Sequence, residues 1–281
     1  MYENYSAPLP DADAYLERIG IGRRADPDRA FLDSLIYAHQ THIPFEDLDC
    51  WKYKKPISLE IPALFDKIVV KKRGGFCFEL NRLFGQALND LGFRAYTVFC
   101  RILYLKDELP PCTHCANIVY LEGRPYFCDV GFGGPQPPYA VPVTDDPEAL
   151  HGNSGIQRVS AAAHSDPGAP AGAFRTRRID DIWFTLSRTN AKGEEEDILQ
   201  FSLIPQTPQE FIPACRFCSE GRDAVFAKTL MAGLLTENGS LNITDNVFTE
   251  REGCDISRTV LETWEEQAAV LREKFGIRLP E

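Results

Sequence analysis

The stretch Arg73-Gly-Gly-Phe-Cys-Phe-Glu-Leu-Asn81 places a cysteine directly after two glycines and at the start of a predicted helix. The apolar face of that helix repeats as far as Leu91, and Gly92 ends it. The first turn of a helix carries partial positive charge and unpaired N–H groups, and both favour the thiolate form of Cys77. The alternative is a buried cysteine that packs as a small apolar side chain. The choice between a nucleophile and a core residue depends on the rest of the chain.

A base and a carboxylate that could serve this thiol lie in the next part of the sequence. His114 lies at the start of one predicted strand, and Asp129 lies at the end of the following one. Antiparallel pairing through the Glu122-Gly123 turn would bring the two side chains together. A thiolate nucleophile needs a base, and the base needs a group that orients it. The spacing therefore predicts that Cys77, His114 and Asp129 act together.

Hydrophobic spacing divides the chain into a helical first third and a β-rich middle. Besides the helix at Cys77, the pattern over residues 1–92 predicts one helix capped by Asp26 and another capped by Ser58. Six short segments between residues 93 and 205 predict strands, and a loop rich in proline, glycine and alanine over 133–173 interrupts them. A last predicted helix ends at Gly276.

Composition restricts the class of protein. The 281 residues include 30 Lys and Arg against 41 Asp and Glu, and the net charge of −11 argues against a surface built for nucleic acid or an anionic membrane. The sequence shows no leader pattern and no apolar run of roughly 18 residues. Nine cysteines is an odd number, which favours free thiols in a reducing compartment. We expect a cytoplasmic protein with no nucleic-acid or membrane partner.

Seven stretches, in the same order along the chain, resemble the arylamine N-acetyltransferase family. They are Tyr15-Leu-Glu-Arg-Ile-Gly20, Ile43-Pro-Phe-Glu46, Arg73-Gly-Gly-Phe-Cys-Phe-Glu-Leu-Asn81, Leu91-Gly-Phe93, Thr113-His114, Asp129-Val-Gly-Phe-Gly133 and Lys274-Phe-Gly-Ile277. The resemblance implies an α+β, papain-like fold in three parts. These are a helical bundle over 1–92 that carries the cysteine, a β-barrel over 93–205 that carries the histidine and aspartate, and an α/β lid over 206–281.

The resemblance also implies the roles of individual residues. Cys77 would accept the acyl group, His114 would be its base, and Asp129 would orient the base. The residues implied to support them are Arg73, Glu46, Glu79 and Asn81. The residues implied to contact substrate or coenzyme A are Phe45, Phe132, Gly133, Ser219 and Arg222.

The implied reaction is a ping-pong transfer through a cysteine thioester. Acetyl-CoA, or another acyl-CoA such as malonyl-CoA, would be a co-substrate, with no permanently bound cofactor and no metal. The acceptor would be an arylamine, a hydrazine or a hydroxylamine. Some of the Lys and Arg excess over residues 52–73, or the group Arg216, Arg222 and Lys228, could attract the phosphates of the donor.

The sequence departs from the family pattern at two places. Asp47 stands where the family usually has asparagine after Ile-Pro-Phe-Glu. The stretch Cys218-Ser-Glu-Gly-Arg-Asp-Ala-Val-Phe226 replaces a Ser-, Thr- and Pro-rich segment that helps to hold coenzyme A in the family. The resemblance therefore does not fix the donor-binding contacts of this stretch or the identity of the acyl group.

Other functions remain open from the residues. On the same fold, an amide synthase would close a polyketide macrolactam, and a thiol hydrolase or transglutaminase would use the same nucleophile. A metal-stabilised binding module would use the pairs Cys112/Cys115 and Cys215/Cys218. Against that reading, the 100 residues from Cys115 to Cys215 far exceed the ligand spacing of a compact zinc site.

Overall fold

The computed structural model describes residues 7–144, 174–190, 192–221 and 223–280. Arg222 and most of the proline- and glycine-rich loop, residues 145–173, lie outside the described residues. The α-helices of the described ranges are α1 (Ala12–Arg18), α2 (Arg29–His42), α3 (Leu48–Trp51), α4 (Ile61–Phe65), α5 (Cys77–Asp90), α6 (Phe211–Ser219), α7 (Val225–Lys228) and α8 (Trp264–Glu273). A π-helical turn, Asp66–Val70, follows α4, and a short 3-10 helix, Pro208–Glu210, precedes α6.

Two predicted helix caps are wrong by two residues. The cap of α2 is Asp28 rather than Asp26, because the Asp28 carboxylate accepts a hydrogen bond from the Phe31 backbone N–H at 2.8 Å. Ser58 accepts a hydrogen bond from the Glu60 N–H at 3.3 Å but lies outside α4, which begins at Ile61 with a proline in its first turn. The last helix likewise ends at Glu273, three residues before Gly276.

The middle of the chain forms a seven-stranded antiparallel sheet. Its strands are β2 (Arg94–Ile102), β3 (His114–Leu121), β4 (Arg124–Cys128), β5 (Val141–Pro142), β6 (Phe174–Arg178), β7 (Trp183–Thr189) and β8 (Glu195–Ser202), in the spatial order β5-β4-β3-β2-β8-β7-β6. The two end strands approach each other, since the Thr176 hydroxyl donates to the Pro142 carbonyl at 2.9 Å and accepts from the Thr144 N–H at 3.1 Å. The sheet is therefore a nearly closed barrel. The six predicted strands are confirmed.

The second sheet joins distant parts of the sequence. Its strands are β1 (Phe45–Glu46), β9 (Met231–Thr236), β10 (Gly239–Thr244), β11 (Val247–Glu252) and β12 (Asp255–Val260), which pair in that order. Phe45 pairs with Gly233 and Glu46 with Ala232, and Phe45 also bridges to Gly75. The segment just before Cys77 is thus fixed to the C-terminal sheet.

Helix α5 lies between the helical region and the barrel. Its apolar side chains, among them Leu80, Leu83, Phe84, Ala87 and Leu88, are buried in a core shared with α1, α2 and α4. Its first turn instead joins a separate cluster that includes Phe76, Cys77 and Phe78 and the inner face of α6. The helix therefore carries Cys77 from one core into the space between the barrel and the C-terminal region. Within the described ranges, every helix is too short or too polar to cross a membrane.

Candidate active site

Cys77 is the first residue of α5, as the sequence predicts. Its side chain is buried, and its Sγ lies 3.9 Å from the Thr113 carbonyl oxygen on the segment that leads into β3. Gly74, three residues earlier, is required for space, because a Cβ there would lie 2.0 Å from the Pro44 carbonyl oxygen. The glycines before Cys77 therefore let the chain pass close to the segment that carries β1.

The predicted hairpin brings His114 and Asp129 together. Strands β3 and β4 pair in the register Asn117 to Cys128, so the start of β3 faces the residue that follows β4. His114 Nε2 and Asp129 Oδ2 are 2.6 Å apart, and both side chains are buried. His114 Nδ1 is also buried and has no hydrogen-bond partner in the described part of the chain. The Asp129 bond fixes one ring nitrogen and leaves the other for a second group.

The surroundings of Cys77 oppose its ionisation in two ways. Burial raises the pKa of the thiol well above its ordinary value, and the neighbouring thiols Cys115 and Cys218 and the Asp129 carboxylate raise it further. The helix start favours the thiolate, but burial of a lone anion is costly. A Cys77 thiolate therefore needs a cation beside it, and the His114 imidazolium formed by transfer of the thiol proton would supply one.

Asn81 connects the helix that carries Cys77 to the histidine and aspartate. Its Nδ2 donates to Asp129 Oδ1 at 2.9 Å and to the Cys115 carbonyl at 2.7 Å, and its Oδ1 accepts from the Val130 N–H at 3.1 Å. One buried amide thus uses three hydrogen bonds to hold α5, β3 and the end of β4 in register. The Gly131 N–H donates to Asp129 Oδ1 at 2.9 Å and further restricts the carboxylate.

A buried ion network holds the loop that precedes Cys77. Arg73 donates through Nε to Glu46 Oε1 at 2.9 Å and also pairs with Asp49 at 3.3 Å. Lys67 pairs with Asp49 at 2.8 Å and with Glu79 at 2.7 Å. Glu79 in turn accepts from the Phe76 N–H at 3.1 Å and so caps α5 one residue before Cys77. Lys67 and Asp49 join this network, although the family resemblance implies no role for either.

Of the residues implied to contact substrate, Phe132 packs against the histidine. The Phe132 ring lies edge-on to His114, with ring centroids 5.6 Å apart. Gly133 has a φ of +72°, and a Cβ there would lie 3.2 Å from the ring of Phe45. Phe45 also packs against Phe226 at 5.9 Å. These residues form one aromatic wall beside His114.

Ser219 is the last residue of α6, and Arg222 is not among the described residues. The Ser219 hydroxyl donates to the Cys215 carbonyl at 2.7 Å. Ser219 lines a cavity of about 480 Å³ whose other lining residues are Cys50, Lys54, Lys55, Pro56, Glu220, Gly221 and Ala227. The cavity lies between the end of α6 and the segment after α3, and its charged lining residues are two lysines and one glutamate.

The two cysteine pairs of the sequence do not form a metal centre in the described ranges, where no group of three or more His, Cys, Asp or Glu side chains could hold a metal ion. Three thiols gather at the start of α5 and donate to backbone oxygens instead. Cys115 Sγ lies 3.6 Å from the Cys77 carbonyl, and Cys218 Sγ lies 3.8 Å from the Thr113 carbonyl. All nine cysteines are free.

The fold is that of an acyltransferase family. A sequence profile described as N-acetyltransferase matches residues 28–281. The chain is 28% identical to the arylamine N-acetyltransferase pineal gland isozyme NAT-10 of Gallus gallus, over 95% of this chain and 94% of that one. It is 39% identical to the arylamine N-acetyltransferase of Mycolicibacterium smegmatis over a shorter stretch, 44% of this chain and 47% of that one.

Solved structures give the same result. The arylamine N-acetyltransferase of Mycobacterium marinum superposes with a TM-score of 0.80 at 27% identity, over 95% of this chain and 93% of that one. A structure of the same enzyme in complex with CoA superposes with a TM-score of 0.78 at 25% identity, over 95% and 93% of the two chains. The α+β, papain-like fold prediction is therefore confirmed. The chain belongs to the N-acetyltransferase family and is a transferase of the acyltransferase class.

Proposed function

We propose that this protein transfers an acetyl group from acetyl-CoA to an arylamine through a thioester on Cys77. The observation that carries the proposal is the buried His114 ring, which Asp129 holds at Nε2 and which has no Nδ1 partner among the described residues. Cys77 lies at a helix start, with its Sγ 3.9 Å from the carbonyl oxygen of Thr113, the residue before His114. Two relatives named as arylamine N-acetyltransferases and the CoA complex of the Mycobacterium marinum enzyme support the choice of donor and acceptor.

The first half-reaction acylates the enzyme. The Cys77 proton moves to His114 Nδ1, and the thiolate attacks the thioester carbonyl carbon of acetyl-CoA. The Glu79 N–H in the first turn of α5 is bonded to the Phe76 carbonyl at 2.9 Å, which leaves the N–H groups of Cys77 and Phe78 as candidates to stabilise the tetrahedral oxyanion. The bond between that carbon and the CoA sulfur then breaks, and the imidazolium returns its proton to the CoA thiolate.

The second half-reaction delivers the acetyl group to nitrogen. The amine attacks the acetyl carbon on Cys77, its proton moves to His114, and the carbon–sulfur bond breaks to release the amide. Asp129 stabilises the imidazolium in both halves. Burial of Cys77 and the aromatic wall of Phe45, Phe132 and Phe226 limit the access of water, which would otherwise hydrolyse the thioester.

The donor phosphates are assigned to the basic cavity beside Ser219. Lys54 and Lys55 line it, and Lys54 donates to the Ala227 carbonyl at 3.0 Å. The alternative cations are partly neutralised, since Lys228 pairs with Asp223 at 3.1 Å and Arg216 with Glu220 at 3.7 Å. The substitution Lys54→Met together with Lys55→Met should therefore raise KM for acetyl-CoA and leave the amine KM unchanged.

The acceptor range, the division of the chain and the compartment complete the proposal. Hydrazines and hydroxylamines carry nucleophilic nitrogens and would discharge the same acyl-enzyme.

Residues 1–92 act as the helical bundle, 93–205 as the barrel and 206–281 as the lid, although β1 shows that the first part also contributes a strand to the last. Nine free cysteines suit a reducing cytoplasm.

Intact-mass measurement with acetyl-CoA, propionyl-CoA and malonyl-CoA, each alone, tests the proposal. We expect one acyl group, located on Cys77 by peptide mapping and released as the N-acyl product when an arylamine is added. Cys77→Ser should remain unlabelled, whereas the exposed Cys254→Ser should label normally. Loss of the label at the same rate with and without amine would identify a hydrolase, and a stable thioester that no small amine discharges would favour an amide synthase.

A further inference from the structure

One face of α2 holds the segment that follows Asp129. Arg29, Asp33 and Gln40 are spaced by four and seven residues, so all three side chains lie on the same side of the helix. Asp33 Oδ1 accepts from the Ala140 N–H at 2.8 Å, and Arg29 donates to the Ala140 carbonyl. This face fixes the far end of the segment to the helical region.

Gln40 is the member of this face nearest to the site. Its Nε2 donates to the Asp129 carbonyl and to the Pro137 carbonyl, at 2.9 Å in both cases. The side chain is 3% exposed, and its Oε1 is buried without a hydrogen-bond partner in the described ranges. Both protons of one amide are therefore used to tie the two ends of residues 129–137 to each other and to α2.

The segment tied by Gln40 contacts both Cys77 and His114. At Gly131 a Cβ would lie 3.0 Å from the Cys77 Cα, so the backbone there rests directly on the start of α5. The next residue, Phe132, lies edge-on to the His114 ring. A shift of this segment would move Asp129 relative to His114 and would loosen the cover over Cys77.

We infer that Gln40 is a positioning residue for the acyl transfer, acting through Asp129 and through the backbone that covers Cys77. The inference rests on the proposed function of Cys77, His114 and Asp129. Sequence patterns give no sign of this role, because Gln40 lies on a helix 89 residues away from Asp129.

The test compares Gln40→Met with Gln86→Met. Methionine keeps the length and volume of glutamine but donates no hydrogen bond. Gln86 is a matched control, since it is also buried and donates to Asp90 at 2.8 Å, nine residues beyond Cys77 on α5 and so about 14 Å along the helix axis. Gln40→Asn keeps the amide on a shorter stem that cannot reach both carbonyls, and it replaces Gln40→Met if that variant does not fold.

We expect the single-turnover acylation rate with acetyl-CoA to fall about 100-fold in Gln40→Met, with KM within about twofold. The acidic limb of the pH profile should move to lower pH, because a displaced Asp129 stabilises the imidazolium less. Gln86→Met should lose stability but keep the wild-type rate and pH profile. A Gln40→Met enzyme within twofold of the wild-type rate and with an unmoved acidic limb would overturn the inference, as would equal slowing in Gln86→Met.

A second readout separates this inference from the proposed function. The proton between His114 Nε2 and Asp129 Oδ2 should give a low-field proton resonance at this short distance, whether or not the protein accepts acetyl-CoA. We expect the resonance to shift or broaden in Gln40→Met and to stay in place in Gln86→Met. A resonance unchanged in Gln40→Met refutes the positioning role, and a wild-type protein that acetyl-CoA does not label refutes the proposed function instead.

Discussion

Asp47→Asn should stabilise this protein, and the gain should grow with pH. The Asp47 side chain is buried, and its Oδ1 accepts from the Met231 N–H at 3.0 Å. Its Oδ2 is buried with no hydrogen-bond partner in the described ranges. Burial, reinforced by the neighbouring Glu46 carboxylate, raises the pKa of Asp47 from 3.8 to about 8. Asparagine retains the acceptor for Met231 and carries no charge at any pH.

The direction of this pH dependence follows from whether the folded or the unfolded chain keeps the Asp47 proton. Below about pH 4 the carboxyl group is protonated in both the folded and the unfolded chain, so the stability that this group contributes is fully present. Between about pH 4 and pH 8 the unfolded chain releases a proton that the folded protein keeps, and the free energy of unfolding of the wild type falls as pH rises. Above pH 8 both states are ionised and the loss is complete.

The size of the effect follows from the displacement of the pKa. At about 1.4 kcal/mol per pKa unit, the rise from 3.8 to about 8 sets an upper bound of about 6 kcal/mol, of which about 4 kcal/mol is reached at pH 7. Relaxation and water entry reduce such values, so we expect roughly 2–4 kcal/mol at pH 7 and close to zero at pH 4. The ionised Asp47 therefore weakens the pairing of β1 with β9. That pairing holds the segment before Cys77 to the C-terminal sheet.

Urea unfolding of the two proteins at pH 4.5, 5.5, 6.5, 7.5 and 8.5 measures this difference. Other groups titrate alike in both proteins, so their contributions cancel. Asp107→Asn, at an exposed position, is the matched control and should change the free energy of unfolding little at every pH. A difference between Asp47→Asn and wild type that stays constant from pH 4.5 to 8.5 would show that Asp47 is ionised in the folded protein, contrary to this reasoning.

Four further outcomes are expected. Cys77→Ala should fold normally yet form no acyl-enzyme by intact mass, and turnover in this variant would exclude Cys77 as the nucleophile. Asp129→Asn should lower kcat by about 10⁴-fold, because an amide selects the wrong imidazole tautomer; a near-normal kcat would separate Asp129 from catalysis. Lys67→Met leaves the buried Glu79 carboxylate without its cation and Asp49 with Arg73 alone, and should cost about 3–5 kcal/mol in urea unfolding, whereas Lys71→Met, whose ion pair is exposed, should cost less than about 1 kcal/mol. Initial rates with acetyl-CoA varied at several arylamine concentrations should give parallel double-reciprocal lines, and intersecting lines would indicate direct transfer in a ternary complex.

The sequence alone determines those features that depend on neighbouring residues. The helix that starts at Cys77 follows from a local apolar repeat, and the pairing of His114 with Asp129 follows from a two-residue turn between short strands. The sequence predicts the first residue of a helix less accurately, because several neighbouring Asp and Ser side chains can each cap a backbone N–H. That is why Asp26 and Ser58 were each two residues from the observed cap positions.

The tertiary structure alone decided which distant side chains meet. Gln40 reaches Asp129 across 89 residues, and Asp47 reaches Met231 across 184 residues, and no local repeat or turn connects either pair. Strand β1 is two residues long, too short to show an alternating pattern, yet it completes the C-terminal sheet. Burial is also a property of the whole fold. Only the packed structure removes water from Cys77 and Asp47, and that removal raises the pKa of both groups.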